Sequence, residues 1–243
     1  YLMSLVAKRS LLGKMEKLSK EPYKSNWYAE TYNKYWVTNE EIKPSIDLEV
    51  ALVENLLKNK NSWCDVACGT GYHLQNTNTN AKKVGIDKSK HMLTYAKDIS
   101  DSSIEYRVED IVTLLNISTT YDLVTNFGYG YSHQETLPDV LLFIKKLSAL
   151  VCNGGDLLIG YDSVPEYSSI REWDNGLGVL KVKAIITDYY QNTGTDYLNC
   201  ISPTKETIIE TLIHEFTTVE IVTLPVTWKK TLLHFKGKQN GRR

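Results

Sequence analysis

The residues able to do chemistry cluster where apolar runs end. The first cluster is "DVACGTG", in which Asp65 precedes Ala67, Gly69 and Gly71 at every second position. Small residues where a strand turns into a helix let backbone N–H groups come close to a ligand. The spacing is not that of the dinucleotide fingerprint G-x-G-x-x-G. Asp87 ends the next run in "VGIDKSKHML", where a carboxylate can accept both hydroxyls of a ribose. Asp110 follows a third run in "RVEDIVTL", with Glu109 beside it as a competing carboxylate. The fourth run ends in "NFGYGYSHQE", which carries Asn126, Phe127, Tyr129, Tyr131 and His133. His133 is the candidate general base, because an imidazole titrates near neutrality; the bland alternative is an exposed residue at a helix start. Tyr129 and Tyr131 read as substrate-shaping phenols or as core. Tyr161 and Asp162 close the fifth run, "GDLLIGYD", on the same side.

The elements that must position these groups alternate. "SWCDVAC", "KKVGID", "IEYRVED", "YDLVTNFG" and "GDLLIGYD" read as strands. "SIDLEVALVENLLKN" reads as an amphipathic helix capped by Ser45, "SKHMLTYAKDIS" as one starting near Ser89, and "LPDVLLFIKKLSALV" as one ending at "NGG". Strands alternating with helices indicate parallel βαβ units and a doubly wound α/β sheet, with ligands at the carboxyl ends of the strands. A capped helix at "SPTKETIIETLIHEF" and two alternating runs, "TTVEIVTLPV" and "WKKTLLHFKG", finish the chain. The stretch 163–203, with two strands around the turn-forming "NTGTD", is too long for an ordinary loop and is expected to cover or build a site. Tyr28, Tyr32, Tyr35 and Trp36 share one helical face near the start, either as core or as a cover.

Composition narrows the function. A formal net charge of −1 argues against a nucleic-acid partner or recruitment to an acidic membrane. The tail 239–243 is basic but short. Cys64 and Cys68 lie four apart with no second pair at ligand spacing, which argues against a metal. Four scattered cysteines fit reduced thiols and a cytoplasmic setting. No signal peptide or membrane span is evident.

Taken in order, these motifs resemble the class I S-adenosylmethionine-dependent methyltransferases, whose first motif is an acidic residue followed by G-x-G-x-G. Ala67 stands at the first glycine, a departure. "DVACGTG" is similar to the form in small-molecule members, the sugar N-methyltransferases and, more distantly, glycine N-methyltransferase-type enzymes. The resemblance spans roughly residues 23–236. It implies a Rossmann-like seven-stranded sheet with an antiparallel last strand, a helical N-terminal lid over 1–40, and a domain over 41–238 with a small antiparallel insertion at 163–203. It implies S-adenosylmethionine as cofactor and S-adenosylhomocysteine as product. Asp65, Ala67, Cys68, Gly69, Gly71, Asp87, Lys88, Met92, Asp110, Ile111, Asn126 and Phe127 would then hold the cofactor. Asp65 would meet the methionine amino group, and Asp110 the adenine, with Ile111 on the ring.

On this reading Tyr28 and Tyr32 belong to the lid, and Tyr129, Tyr161 and Asp162 touch the acceptor. His133 and Tyr131 are the catalytic candidates. Arg171, Glu172 and Trp173 lie on the insertion, with direction unfixed. The expected reaction moves a methyl group to a nitrogen or oxygen of a small metabolite, in a possible homodimer. An amine acceptor only has to arrive unprotonated, whereas a hydroxyl usually wants a base. The alternatives are methylation of a protein or RNA, and a non-catalytic S-adenosylmethionine-binding scaffold. A nicotinamide dehydrogenase fits worst.

Overall fold

In the computed structural model the helix Lys43–Leu57 (α1) leads into strand Ser62–Val66 (β1). The structure describes residues 29–30, 32–34, 40, 42–134, 136–162, 169–174, 181–188, 199–225 and 230–239. Pro44 sits in the first turn of α1, where its missing N–H costs nothing, so the helix starts ahead of Ser45 and without a side-chain cap. This corrects the cap assigned to Ser45. The chain continues through Tyr72–Asn76 (α2), Lys82–Asp87 (β2), Lys90–Ile99 (α3), Ile104–Val108 (β3) and Tyr121–Asn126 (β4). A short 3₁₀ turn at Gly130–His133 precedes Leu137–Ala149 (α4) and Val151–Asp162 (β5). Helix α3 is capped by the Ser89 side chain, which accepts from the Met92 N–H, and α4 by Thr136, which accepts from that of Asp139.

Seven strands form one sheet, in the order β3-β2-β1-β4-β5, then Lys230–Lys238 (β10), then Phe216–Thr223 (β9). The first five run parallel. Lys230–Lys238 (β10) enters antiparallel between β5 and Phe216–Thr223 (β9). This is the Rossmann-like sheet with a reversed last strand that the resemblance implies. The "NGG" at 153–155 is not a terminator. Strand β5 already starts at Val151, and the pairing with β4 shifts register between Tyr121 and Leu123, with Gly154 at φ 78°. The extra residues are taken up as a bulge. Between β5 and Lys205–Leu212 (α5), strands Ser169–Asp174 (β6), Lys181–Asp188 (β7) and Asn199–Pro203 (β8) make a separate antiparallel sheet, one strand more than the turn at "NTGTD" predicts.

The core lies on both faces of the main sheet, because successive strand residues point opposite ways. Leu157 and Ile159 join Ile144, Leu147 and Ile208 on the α4–α5 face. Leu158 joins Val53, Leu93 and Trp63 on the face covered by α1 and α3. All ligand-side loops of the parallel strands therefore open at one edge.

Candidate active site

At the end of β1 the chain makes three left-handed steps: Ala67 at φ 54°, Gly69 at 56° and Gly71 at 74°. Glycine takes this conformation freely, whereas alanine is strained there. The turn is pinned to β2. The Gly69 N–H donates to Asp87 Oδ2 (2.8 Å), and the Ser89 N–H to Oδ1 (2.8 Å). Each Asp87 oxygen keeps a second lone pair for a ligand. Burial pushes the Asp87 carboxyl up, and these two donors oppose it.

The small residues do two different jobs. Ala67 and Gly69 line a cleft together with Asp87, Lys88, Met92 and Ile111. A side chain on Gly69 would touch Met92 Cε (3.4 Å) and Tyr32 (3.7 Å). Gly71 faces the other way, and a Cβ there would overlap the Tyr106 hydroxyl. Cys68 packs under the turn, its Sγ 2.9 Å from where a Gly85 Cβ would lie. The Cys68 side chain is thus a packing group, as expected, and neither Cys68 nor Gly71 presents a side chain to the cleft. Burial raises the Cys68 thiol well above its ordinary value, so it is not a nucleophile.

The wall toward β3 carries Glu109, Asp110 and Ile111. Asp110 Oδ1 accepts from the Val112 N–H (3.0 Å), which fixes the loop. Tyr32 closes another side, packed with Ala29 and Met92, and the Thr70 hydroxyl donates to Asn33 (2.9 Å). Tyr28 lies outside the described residues, as do most of residues 1–40 and the side chains of Asp162, Arg171, Glu172 and Trp173.

Asp65 is not among the residues that line the cleft. It is buried beside β4, where the Trp63 indole donates to the Thr125 hydroxyl (2.9 Å) and that hydroxyl donates to Asp65 Oδ1 (2.7 Å). Burial pushes its carboxyl up to about 6, against the pull of His73 and Thr125. Asn126 is also buried. Its amide donates to the Val66 carbonyl (2.7 Å), which leaves Oδ1 as a sealed acceptor without a partner.

The residues after β4 separate by direction. Phe127 is core, stacked under the His73 ring at 4.4 Å. Tyr129 is strained at φ 54° and holds its ring 5.6 Å from Lys230 Nζ. Tyr131 is fully buried and its hydroxyl donates to the Gly160 carbonyl (3.3 Å), so it is a core residue and not a base. Tyr161 is likewise in the core. His133 lines the cleft beside Lys88, and burial, then the Lys88 charge, push its imidazole down to about 4. It is neutral at physiological pH but a weak base.

A second polar cluster was not foreseen. Glu49 of α1 is fully buried, with Oε2 3.0 Å from His73 Nε2 and Oε1 2.7 Å from Lys230 Nζ. Burial would push Glu49 up; Lys230 and His73 outweigh it and hold the carboxyl below its ordinary value. One signal was available. Glu49 lies on the apolar face formed by Ile46, Val50, Val53 and Leu57, where an acid needs a partner. Among the cleft residues, Gly128, Gly130, Gln134 and Phe143 were also missed. Gly130 is required there: a Cβ on it would overlap that of Ala67.

Residues 64–155 match the family model described as "Methyltransferase domain". Over that span the chain is similar to a methyltransferase domain. No curated protein matches the sequence. Solved structures share the fold of this chain across most of its length. An S-adenosylmethionine-dependent methyltransferase from Clostridium acetobutylicum is 18% identical, with 88% of this chain and 98% of that chain covered and a TM-score of 0.56. An amino pentose methyltransferase of calicheamicin biosynthesis from Micromonospora echinaspora is 15% identical, with 86% and 96% covered and a TM-score of 0.59. A sugar N-methyltransferase from Streptoalloteichus is 14% identical, with 84% and 91% covered and a TM-score of 0.55. At these identities the likeness is one of fold. Among the described residues, no group of His, Cys, Asp or Glu is placed to hold a metal ion, and no helix is long and apolar enough to cross a membrane.

Proposed function

We propose that this chain methylates an amine nitrogen of a small molecule. The observation that carries the reading is the direction of the titratable groups after β4. Tyr131 is in the core, and His133 stands beside Lys88 and is a weak base. Glu49 is already paired with His73 and Lys230. A neutral amine is nucleophilic enough to take the methyl group directly and to shed the proton of the resulting ammonium to water afterwards, so it needs alignment and a dry methyl rather than a base on the protein. The fold shared with an amino pentose methyltransferase and a sugar N-methyltransferase supports an amino sugar as the class to try first.

The cleft fits the methyl donor. Small residues at 67 and 69 leave room for backbone approach, and Asp87 keeps acceptor capacity toward a ribose. Asp110 and Ile111 stand where a purine would lie, while Tyr32 and Met92 cover the opposite side. S-adenosylmethionine, when bound, supplies a methyl group activated on a sulfonium. The chain's part is to hold that donor, to shut out water with Tyr32, and to present the acceptor from the β4–β5 side, near Tyr129.

The test has two stages. Calorimetry with S-adenosylhomocysteine should show one site per chain. A coupled assay of S-adenosylhomocysteine release should then respond to amino sugars and other small amines and not to their hydroxyl counterparts. A folded protein that does not bind, or turnover confined to hydroxyl, protein or RNA acceptors, would overturn the reading.

A further inference from the structure

One carboxylate reaches both sides of the loop that follows β4. Glu49 projects from α1 into the interior, where its side chain has no exposed surface. Its Oε2 lies 3.0 Å from His73 Nε2, and its Oε1 2.7 Å from Lys230 Nζ. The His73 ring stacks on Phe127, with centroids 4.4 Å apart. The Lys230 ammonium stands 5.6 Å from the centre of the Tyr129 ring, within range of a cation–π attraction. Between the two aromatic residues is Gly128, which lines the cleft and would meet nothing within 4 Å if it carried a Cβ. The loop Phe127–Gly128–Tyr129 is therefore held at both flanks and open to the cleft in the middle.

The loop has a conformation that must be held. Tyr129 is left-handed at φ 54°, which is strained for a residue with a Cβ, and such strain persists only where the surroundings fix it. On one side the Ser132 N–H and hydroxyl both donate to the Tyr129 carbonyl (2.8 and 2.7 Å). On the other stands Lys230, whose backbone is set by its pairing with Asp162 at the end of β5. Stability alone is a weak reason for the buried pair, because well-packed apolar residues often serve a core as well. What an apolar pair cannot do is aim a cation at an aromatic ring.

We propose that Glu49 is a positioning residue for methyl transfer: through His73 and Lys230 it fixes the loop Phe127–Gly128–Tyr129 beside which the acceptor is aligned, while touching neither substrate. This rests on the reading that the chain methylates a small amine presented from the β4–β5 side. The experiment compares the full-length wild type with the double variant Glu49→Gln, Lys230→Met. The double variant strands no buried charge, so its melting temperature should return most of the way to that of the wild type. Its kcat with an amino sugar should still lie roughly ten- to a hundredfold lower, the scale of a misplaced reactant. Its calorimetric affinity for S-adenosylhomocysteine should stay near that of the wild type. Lys230→Arg, which keeps a cation beside the Tyr129 ring, should retain more turnover than Lys230→Met. Hydrogen exchange reads the loop without turnover: peptides across residues 126–132 should exchange faster in the double variant, and those across β3 at the wild-type rate. Turnover that returns together with the melting temperature, or unchanged exchange across the loop, overturns the proposal and leaves Glu49 a packing group. So does an equal loss of S-adenosylhomocysteine affinity, which would put the loop in the donor site. If the wild type methylates no amine, the proposed function fails instead, and the exchange rates alone decide whether Glu49 holds the loop.

Discussion

Changing Glu49 to Gln keeps the shape of the side chain and removes its charge. In the folded protein Glu49 has no exposed surface, and the Lys230 side chain is only 13% exposed, so water compensates little for a lost partner. Deleting one partner of a buried ion pair costs about 3–5 kcal/mol, mostly through the charge left behind. Lys230 keeps some solvent and the Tyr129 ring at 5.6 Å, which places the expected loss near the lower end, about 3 kcal/mol. For a chain of this size that lowers the melting temperature by roughly 6–12 °C. The assay is thermal and urea denaturation followed by circular dichroism. The double variant Glu49→Gln with Lys230→Met removes the stranded ammonium and should regain much of the loss. The sign with pH follows from the lowered carboxyl. Its stabilisation is present above the ordinary value of 4.5 and is lost as pH falls through the lower folded value, so the wild type and Glu49→Gln should converge in acid. A single variant that loses under about 1 kcal/mol, or a double variant no better than the single, would refute the account.

Two further outcomes test the packing around β1 and the turn that follows it. Gly130→Ala should destabilise by about 1–3 kcal/mol, because the new methyl overlaps that of Ala67; Ala67→Gly should relieve left-handed strain and rescue Gly130→Ala, and a strictly additive cycle in urea melts would count against the contact. Asp65 has a folded value of about 6 against an ordinary 3.8, so its contribution to stability is full below 3.8 and is lost as pH rises through 6. Asp65→Asn should therefore gain on the wild type by about 2–3 kcal/mol between pH 4 and pH 8, and a difference that stays flat with pH in thermal melts would contradict the burial argument.

The strands of the parallel half were legible because each apolar run is short and followed by a helical period. The positions of Asp87 and Asp110 at strand ends came with them. Direction was not legible. Cys68 shares a motif with Ala67 and Gly69, yet its side chain packs beneath the cleft, because successive left-handed steps turn neighbouring side chains to opposite sides. Tyr131 and His133 differ by two places in a 3₁₀ turn, a distinction no hydropathy pattern carries. The "NGG" that reads as a helix stop is a bulge inside β5, because the register of β4 on β5 is a property of two distant segments. Glu49 looked like one acid in an amphipathic helix; its partner Lys230 comes from the far end of the chain.

Strand β10 is last in sequence but interior in the sheet, with Leu232, Leu233 and Phe235 fully buried between β5 and β9. A ribosome delivers it after the other described strands of the sheet. Until then β5 and β9 have no common neighbour, the carboxylate on α1 lacks its cation, and two strand edges stay open. The sheet closes only when β10 is in place. A product cut short ahead of β10 would expose edges prone to pairing with other chains.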